Sequence, residues 1–400
     1  MMTHTIGRVM GAIALAATIA LLGCERPPVD VEQIGYRGTG TQNPENPRIR
    51  ERERSRHEAP EALSAAPDAG PRAGDVYENV EVLGDLSIPQ FQRVMRAMTE
   101  WVSPEQGCNY CHIDGNFASE DIYTKVVSRR MLEMTRNINA SWQDHVGDVG
   151  VTCYTCHRGE NVPAEQWFYE EPQRFTGAGN RQMQNMPSDK TALSSLPRNA
   201  FDAYLEGDRE IRVQEQDALP TGHVASIQHT EMTFSLMMHM SDALGVSCQV
   251  CHNSRAFGDW DQSPPQRTTA WHGIRMVREI NNAYINSLHG VFPENRLGPT
   301  GDVGKVNCAT CHQGIQQPLY GASMVQDYPS LIGDPDEDTR EMQWDVMMER
   351  DPDEAVPDDD LDADDDPEFE EEGDMARVAG DQDDRIVLAD RLSRFLDDME

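Results

Sequence analysis

One five-residue pattern occurs four times in the chain: two cysteines separated by two residues, followed at once by a histidine. The copies, motifs one to four, begin at Cys108, Cys153, Cys248 and Cys308 and use eight of the nine cysteines. One turn of helix brings two thiols with this spacing to the same side, with the imidazole beside them. Such a set can attach a c-type haem, contribute to a zinc site or form a redox-active pair.

The spacing of the motifs separates these chemistries. A redox pair gains nothing from a histidine in all four copies, and a zinc site of this type needs two CxxC pairs close together, whereas successive motifs lie 45 or more residues apart. We therefore predict four covalently bound c-type haems, each iron holding the motif histidine as an axial ligand. The predicted attachment cysteines and axial histidines are Cys108, Cys111, His112, Cys153, Cys156, His157, Cys248, Cys251, His252, Cys308, Cys311 and His312.

The composition agrees with a large apolar cofactor and limits the partners. A hydrophobic share of 38% and a mean hydropathy of −0.63 are low for one compact globule of 400 residues. Four apolar macrocycles would supply core that the side chains lack. The net charge of −35 excludes nucleic acid as a partner, because phosphates would repel the chain, and it favours basic proteins or cations.

The N-terminus has the features of an export signal. Arg8 precedes an apolar run, 9–22, that is short for a membrane span of about 20 residues, and Leu21-Leu22-Gly23-Cys24 follows. This ending resembles a bacterial lipobox, which predicts a lipoprotein signal peptide over 1–23 and acylation of Cys24. The alternative is a short uncleaved anchor. Both interpretations tether the protein to a membrane with its body outside the cytoplasm.

The central region contains an internal repeat. The stretch "VMRAMTE" before motif one matches "LMMHMSD" before motif three, which pairs Met95 with Met237. Motifs two and four each follow an Arg-Met stretch and a shared Gly-Asp-Val-Gly. The order A-B-A-B indicates duplication of a two-site unit. We predict a mainly α multihaem cytochrome c built from two pseudo-symmetric two-haem modules.

Changes in composition divide the rest of the chain. An irregular strap follows the acylated cysteine, and an acidic tail closes the sequence, where charge runs are typical of disorder. The last 16 residues have apolar positions on one helical face, so a docking helix and an unstructured end remain equal alternatives. The predicted segments are 24–75 for the strap, 76–332 for the tetrahaem domain (76–160 first haem pair, 161–221 loop-like bridge, 222–332 second haem pair) and 333–400 for the tail.

The sixth ligand of each iron separates an electron carrier from an enzyme, since a substrate needs an open position. Methionines precede the motifs at helical positions, although a methionine on a helix is more often an ordinary core residue. Internal repetition alone selects Met276 for the fourth site, as the equivalent of Met131, or His289 nearby.

The stretches "NFASEDIYTKVVSRRM", "GVTCYTCHRG", "MSDALGVSCQVCHNSRAF" and "GIRMVREINNAY" resemble the tetrahaem cytochrome subunit of purple-bacterial photosynthetic reaction centres. The resemblance runs from about Val80 to Ile332, together with the lipobox. It implies that Met95, Met131 and Met237 are the sixth ligands of the first three haems. For the fourth haem it implies His145, which lies before motif two, so a residue of the first module would ligate a haem of the second.

The resemblance also implies a role. Such a subunit is lipid-anchored at the periplasmic face of the photosynthetic membrane, contacts the reaction-centre L and M subunits and is no enzyme. It passes electrons from a soluble cytochrome c or a high-potential iron–sulfur protein to the photo-oxidised bacteriochlorophyll special pair. Its third haem lies nearest that pair, followed by the fourth, second and first. The alternatives are a multihaem oxidoreductase, which needs an open iron, and a generic extracellular electron conduit.

Overall fold

The computed structural model describes residues 29–33, 42–171, 187–211 and 227–335. The predicted signal peptide, Cys24 and nearly all of the acidic tail, with its candidate terminal helix, lie outside these ranges. The elements, clusters and contacts given for the fold are those of the described residues.

Helices dominate the described part, which confirms the mainly α expectation. The α-helices are α1 (Pro47–Glu53), α2 (Ala73–Val76), α3 (Ile88–Val102), α4 (Tyr123–Ser141), α5 (Gln143–Val146), α6 (Cys153–His157), α7 (Ile227–Leu244), α8 (Gln266–Glu279) and α9 (Cys308–His312). Shorter 3₁₀ turns are Arg54–His57, Gly107–Tyr110, Gly147–Val149, Asp189–Thr191, Cys248–Val250, Asn286–Leu288, Glu294–Arg296, Pro318–Gly321, Met324–Asp327 and Pro329–Leu331, and π-helical turns are Asp202–Glu206 and Ile280–Ile285. The described strands, β1 (Asp30–Gln33) and β2 (Gln42–Glu45), form an antiparallel pair in which Asp30 faces Glu45.

The N-terminal strap is fastened to the first half of the molecule. It contains the β1–β2 pair and α1 as well as irregular backbone. The guanidinium of Arg93, on α3, donates to the carbonyls of Leu63 and Ser64 at 2.6 and 2.9 Å and to that of Asp327 at 2.6 Å. The N–H of Leu63 donates to the Tyr328 hydroxyl at 3.1 Å. One buried cation therefore joins the strap to the segment that follows motif four.

Local sequence explains the start and the orientation of α3. Ser87 and Gln90 form a capping box, and Pro89 lies in the first turn, where a missing N–H costs nothing. Val94, Ala97 and Trp101 recur at helical spacing and are buried. This face packs into the core, and it fixes the helix that carries Met95.

The apolar core consists of three clusters. The first joins α3, motif two and the last described segment, through Leu83, Val94, Ala97, Trp101, Leu132, Cys153, Leu319, Met324, Val325, Tyr328 and Leu331. The second joins the bridge to α7 and α8, through Trp167, Ala200, Phe201, Tyr204, Leu205, Met232, Leu236, Ile274 and Val277. The third lies between α4 and α8, through Ile138, Trp142, Met276, Ile280, Ile285, Val303 and Val306.

The bridge is more than a loop where the structure describes it. Phe201, Tyr204 and Leu205 are almost fully buried, and Trp167 pairs with Lys305 through two backbone hydrogen bonds of 3.0 and 2.8 Å. The sequence predicted a loop-like segment because the bridge is rich in Gln, Pro and Glu. Isolated aromatic side chains nevertheless bury large areas once they meet a helix face.

Candidate haem-binding sites

The four CxxCH motifs fold in two ways. Motifs two and four form the short helices α6 and α9, whereas motifs one and three form 3₁₀ turns. Thr152 and Thr155 cap α6 reciprocally, and Asn307 and Thr310 cap α9 in the same manner. These caps satisfy the exposed N–H groups of helices that are barely one turn long.

All four motif histidines are oriented by the same kind of hydrogen bond. His112 Nδ1 lies 3.0 Å from the Phe117 carbonyl, and His252 Nδ1 lies 3.0 Å from the Phe257 carbonyl, five residues on in each case. His157 and His312 instead use the carbonyl three residues on, at 2.9 and 3.1 Å. A carbonyl accepts only from Nδ1–H, so each imidazole keeps its Nε2 lone pair for a metal.

Three of the motif cysteines are held as neutral thiols by burial. Burial raises the pKa of Cys153 and of Cys308 to about 12, and that of Cys251 to about 11, which keeps these groups as neutral thiols. A structural zinc site would require thiolates gathered around one point. Within the described ranges no three His, Cys, Asp or Glu side chains are grouped to hold a metal ion. The arrangement therefore fits haem better than zinc.

Motifs two and four lie against each other. Cys156 and Cys311, the second cysteine of each, have Cα atoms 4.5 Å apart and are joined as a disulfide. A sulfur in a disulfide cannot also form a thioether to haem, so pairing and haem attachment exclude each other at these two residues. The six other motif cysteines are free.

The contact between motifs two and four is reciprocal. The residue after each motif donates to the second cysteine of the other motif: Arg158 to the Cys311 carbonyl, and Gln313 to the Cys156 carbonyl, both at 3.4 Å. Arg158 and Gln313 also share a left-handed backbone, with φ of 54° and 51°.

Motif two also contacts the helix that precedes motif one, and motif four contacts the helix that precedes motif three. The N–H of Gly159 donates to the Trp101 carbonyl at the end of α3, at 2.9 Å. The N–H of Gly314 donates to the Ala243 carbonyl at the end of α7, at 2.8 Å. Motif two is thereby fixed to the helix of motif one, and motif four to the helix of motif three.

His145 lies on α5 and faces motif four. Gly147, with φ of 57°, ends α5 in a conformation that favours glycine. His145 Nδ1 donates to the Thr269 carbonyl of α8 at 2.9 Å, and its ring centroid lies 6.1 Å from that of His312. Two metal–nitrogen bonds of about 2 Å each and the inner halves of two rings span such a distance. The separation of the two rings would therefore leave room for one metal ion held by both imidazoles.

Both imidazoles are held neutral. Burial lowers the pKa of His145, and burial together with His145 lowers the pKa of His312 to about 4. A neutral ring is the form that binds metal, so no proton has to be displaced at neutral pH.

The other candidate sixth ligands lie on the long helices. Met95, Met131 and Met237 are half-buried and pack against the first, third and second core cluster respectively. His289 is exposed, with Nε2 at 3.0 Å from the Gly301 carbonyl.

The register of α4 and α8 differs from the one that the sequence indicated. Asn139 bonds Val151 and Asn281 bonds Val306 in the same manner, and each valine lies two residues before its motif. Counting back from these asparagines places Met276 opposite Met134 rather than Met131. The sequence match was therefore three residues out of step, nearly one helical turn.

The buried guanidinium of Arg158 indicates that an acidic group binds near motifs two and four. Its Nε and Nη1 are buried without a hydrogen-bond partner among the described residues, and burial lowers its pKa to about 10. A haem carries propionate groups that would satisfy these donors, so the residues present fit the cofactor.

Comparison with known proteins decides the family. The family model described as "Photosynthetic reaction centre cytochrome C subunit" matches residues 25–332. The chain belongs to this family. It is 52% identical over 322 residues to the photosynthetic reaction center cytochrome c subunit of Rubrivivax gelatinosus, covering 80% of this chain and 88% of that one. It is 50% identical over 320 residues to that of Thermochromatium tepidum, covering 80% and 79%.

Family membership confirms the broad expectations from sequence. The chain is an electron-carrying subunit with covalently bound haem c, it associates with a photosynthetic reaction centre, and it works at the periplasmic side of the membrane. In the described ranges, no helix has the length and apolar character needed to span a bilayer.

Two kinds of functional group escaped the sequence analysis. The acceptors for the motif histidines are backbone carbonyls, which residue types do not indicate. Lys125 is buried and donates at 2.8 Å to the same Phe117 carbonyl that orients His112. The only sequence signal for Lys125 would have been its equivalence to Arg267, another cation 142 residues later that donates to the loop after motif three.

Proposed function

We propose that the chain carries electrons, one at a time, from a soluble periplasmic donor to the photo-oxidised bacteriochlorophyll special pair, using four c-type haems. Haem iron supplies the one-electron ferric/ferrous couple. The motif cysteines would hold the four groups by thioether bonds, which at Cys156 and Cys311 would stand in place of their disulfide, and His112, His157, His252 and His312 would bind iron through Nε2. The two halves of the chain would each supply two of the four haem sites.

The sixth ligands in this proposal are Met95 for motif one, Met131 for motif two, Met237 for motif three and His145 for motif four. A thioether ligand favours ferrous iron and a higher potential, and a second imidazole favours a lower one. All four irons would be closed to substrate. This set argues against an oxidoreductase, which would need one iron with an open face.

The observation that carries the proposal is the reciprocal contact of motifs two and four. Gly159 attaches motif two to α3, and Gly314 attaches motif four to α7. These contacts support the spatial order one, two, four, three. The family resemblance, rather than these contacts, implies that motif three lies at the end that faces the reaction-centre L and M subunits and motif one at the end that receives electrons.

The donor in this proposal is a soluble cytochrome c or a high-potential iron–sulfur protein. The net charge of −35 would attract a basic donor and raise its association rate at low ionic strength. Acylation of Cys24 would keep the subunit at the membrane. The same haems could serve a generic conduit, but the family match favours the reaction centre.

A matched pair of ligand variants tests the direction of transfer. In isolated reaction centres with all haems reduced, Met237→His should speed re-reduction of the special pair after a single flash, because a lower potential at motif three increases the driving force for transfer to the oxidised pair. Met95→His should leave that first step unchanged and alter only reloading by the donor. The reverse pattern would contradict the order, and a high-spin iron signal in the unmutated protein would favour an enzyme.

A further inference from the structure

Helices α4 and α8 are equivalent elements of the two halves, and their register is fixed. Asn139 and Asn281 each bond the backbone of the valine two residues before their motif, and Ile138 and Ile280 precede them and pack in the third cluster. The offset is 142 residues, the same as between Met95 and Met237. Eight residues before the two asparagines stand Met131 on α4 and Gly273 on α8.

Gly273 has no side chain, and the ring of His145 occupies the volume that a side chain would need. A Cβ added to Gly273 would overlap Cε1 of His145 and lie 2.7 Å from Nδ1 and 3.1 Å from Nε2. Real Cβ atoms do not approach other atoms that closely. A side chain at Gly273 and the observed position of His145 therefore exclude each other.

The same turn of α8 holds the ring from a second direction. The Thr269 carbonyl, four residues before Gly273, accepts the Nδ1–H of His145 at 2.9 Å. Residues four apart lie on one face of a helix. One helical turn thus provides both a hydrogen-bond acceptor and a flat surface for this imidazole, which faces His312 at 6.1 Å between ring centroids.

We infer that Gly273 is the positioning residue that makes histidine, rather than methionine, the sixth ligand of the fourth haem. In the first half, Met131 fills this helix position and is itself the proposed ligand. In the second half the helix presents no side chain there, and His145 of the other half enters the space. This inference rests on the proposed ligand set.

The test compares Gly273→Ala and Gly273→Met with the unmutated holoprotein by low-temperature EPR and near-infrared magnetic circular dichroism. Both variants should lose the bis-histidine signal, and Gly273→Met should gain a fourth His/Met signal. In Gly273→Met, the potential of the haem at motif four should shift upward by a tenfold or larger change in the reduction equilibrium, which is 59 mV or more. Gly290→Ala is the matched control, because Gly290 has no atom within 4 Å of an added Cβ.

A purely structural glycine would behave differently. Alanine is a better helix former than glycine, so a helix that merely tolerates Gly273 should keep its spectrum and gain stability in Gly273→Ala. An unchanged bis-histidine signal in both variants would overturn the inference while leaving the proposed function intact. Absence of that signal in the unmutated protein would instead overturn the proposed ligand set.

A double variant covers the case in which Gly273→Met does not fold. His145→Ala with Gly273→Met removes the overlapping ring and should restore a folded protein with four His/Met sites. A folded double variant with three such sites and one high-spin iron would show that this helix position cannot serve the fourth haem, and the inference would fail.

Discussion

Asn139 and Asn281 make the same connection in the two halves of the chain. The side-chain amide of Asn139 donates to the Val151 carbonyl at 2.9 Å and accepts from the Val151 N–H at 2.7 Å. Asn281 does the same with Val306, at 2.9 and 2.8 Å. Each asparagine thereby fixes a long helix to the backbone two residues before a CxxCH motif, and this bond sets the height of the motif along the helix.

Replacement of Asn281 should be costly. Asn281 is fully buried and also donates to the Leu205 carbonyl, so Asn281→Ala leaves several buried backbone groups unpaired. We expect a loss of about 2 to 4 kcal/mol in the free energy of unfolding, measured with denaturant. Asn282→Ala is the control, because Asn282 is exposed and its amide donates to the Glu206 carbonyl at 2.8 Å. Equal small losses in both variants would mean that the Asn281 amide does not hold the motif.

The sequence could predict the motifs and the long helices but not their register. CxxCH is a local pattern, and the methionine-rich stretches repeat visibly. The apparent match of Met131 with Met276 was three residues off because a shift of nearly one turn keeps the same helical face and so the same polarity pattern. Only the hydrogen bonds of Asn139 and Asn281 fix the register of the two helices. Likewise, no local pattern shows that Trp167 and Tyr204 of the bridge are buried, since tertiary contacts far along the chain decide that.

The intact mass of the mature chain shows whether Cys156 and Cys311 form a disulfide or thioether bonds to haem. We expect the intact mass of the mature chain to contain four haems and to be unchanged by a reducing agent, because all four motifs share one pattern and the motif histidines share one orientation. Cys308→Ser, which removes only one thiol of motif four, should leave four haems with one single-thioether attachment. A mass with fewer haems and two hydrogens gained on reduction would show that the disulfide persists.

Glu120 should contribute to stability in a pH-dependent way. The Arg129 guanidinium donates to both carboxylate oxygens, at 2.7 and 3.1 Å, and with Asn79 and Lys125 it lowers the pKa of Glu120 from 4.5 to about 2. A depressed pKa stabilises the fold above the unfolded value, and the contribution is lost as the pH falls from about 4.5 toward 2. Because the side chain is partly exposed, we expect about 1 kcal/mol or less.

The measurement for Glu120 is the unfolding free energy of Glu120→Gln relative to the unmutated protein. The difference should be largest at about pH 6 and should shrink by about pH 3. Glu105→Gln, on the exposed turn before motif one, is the control for the loss of a surface carboxylate. A difference that grows as the pH falls would contradict the sign of this prediction.

Lys125 should raise the potential at motif one. Its buried ammonium donates to the carbonyls of Phe117 and Ser119 at 2.8 and 3.0 Å, and the Phe117 carbonyl also accepts from His112. A nearby cation disfavours ferric iron, which carries the larger positive charge, and the Glu120 carboxylate, 3.3 Å from the Lys125 ammonium, offsets only part of this effect. By sharing the acceptor, Lys125 also weakens the bond that makes the His112 imidazole more electron-donating. Both effects favour the reduced state.

Lys125→Met keeps the length of the side chain and removes its charge, so it should lower the potential at motif one by on the order of 60 mV, a tenfold change in the equilibrium. Redox titration followed by haem absorbance measures the shift. Arg96→Met is the control, because Arg96 is an exposed cation on α3, next to Met95, where solvent screens its charge. If both variants shift the potential equally, general surface charge rather than the buried ammonium sets the potential at motif one. An upward shift in Lys125→Met would mean that the hydrogen bond of Lys125 to the carbonyl shared with His112 has the opposite effect.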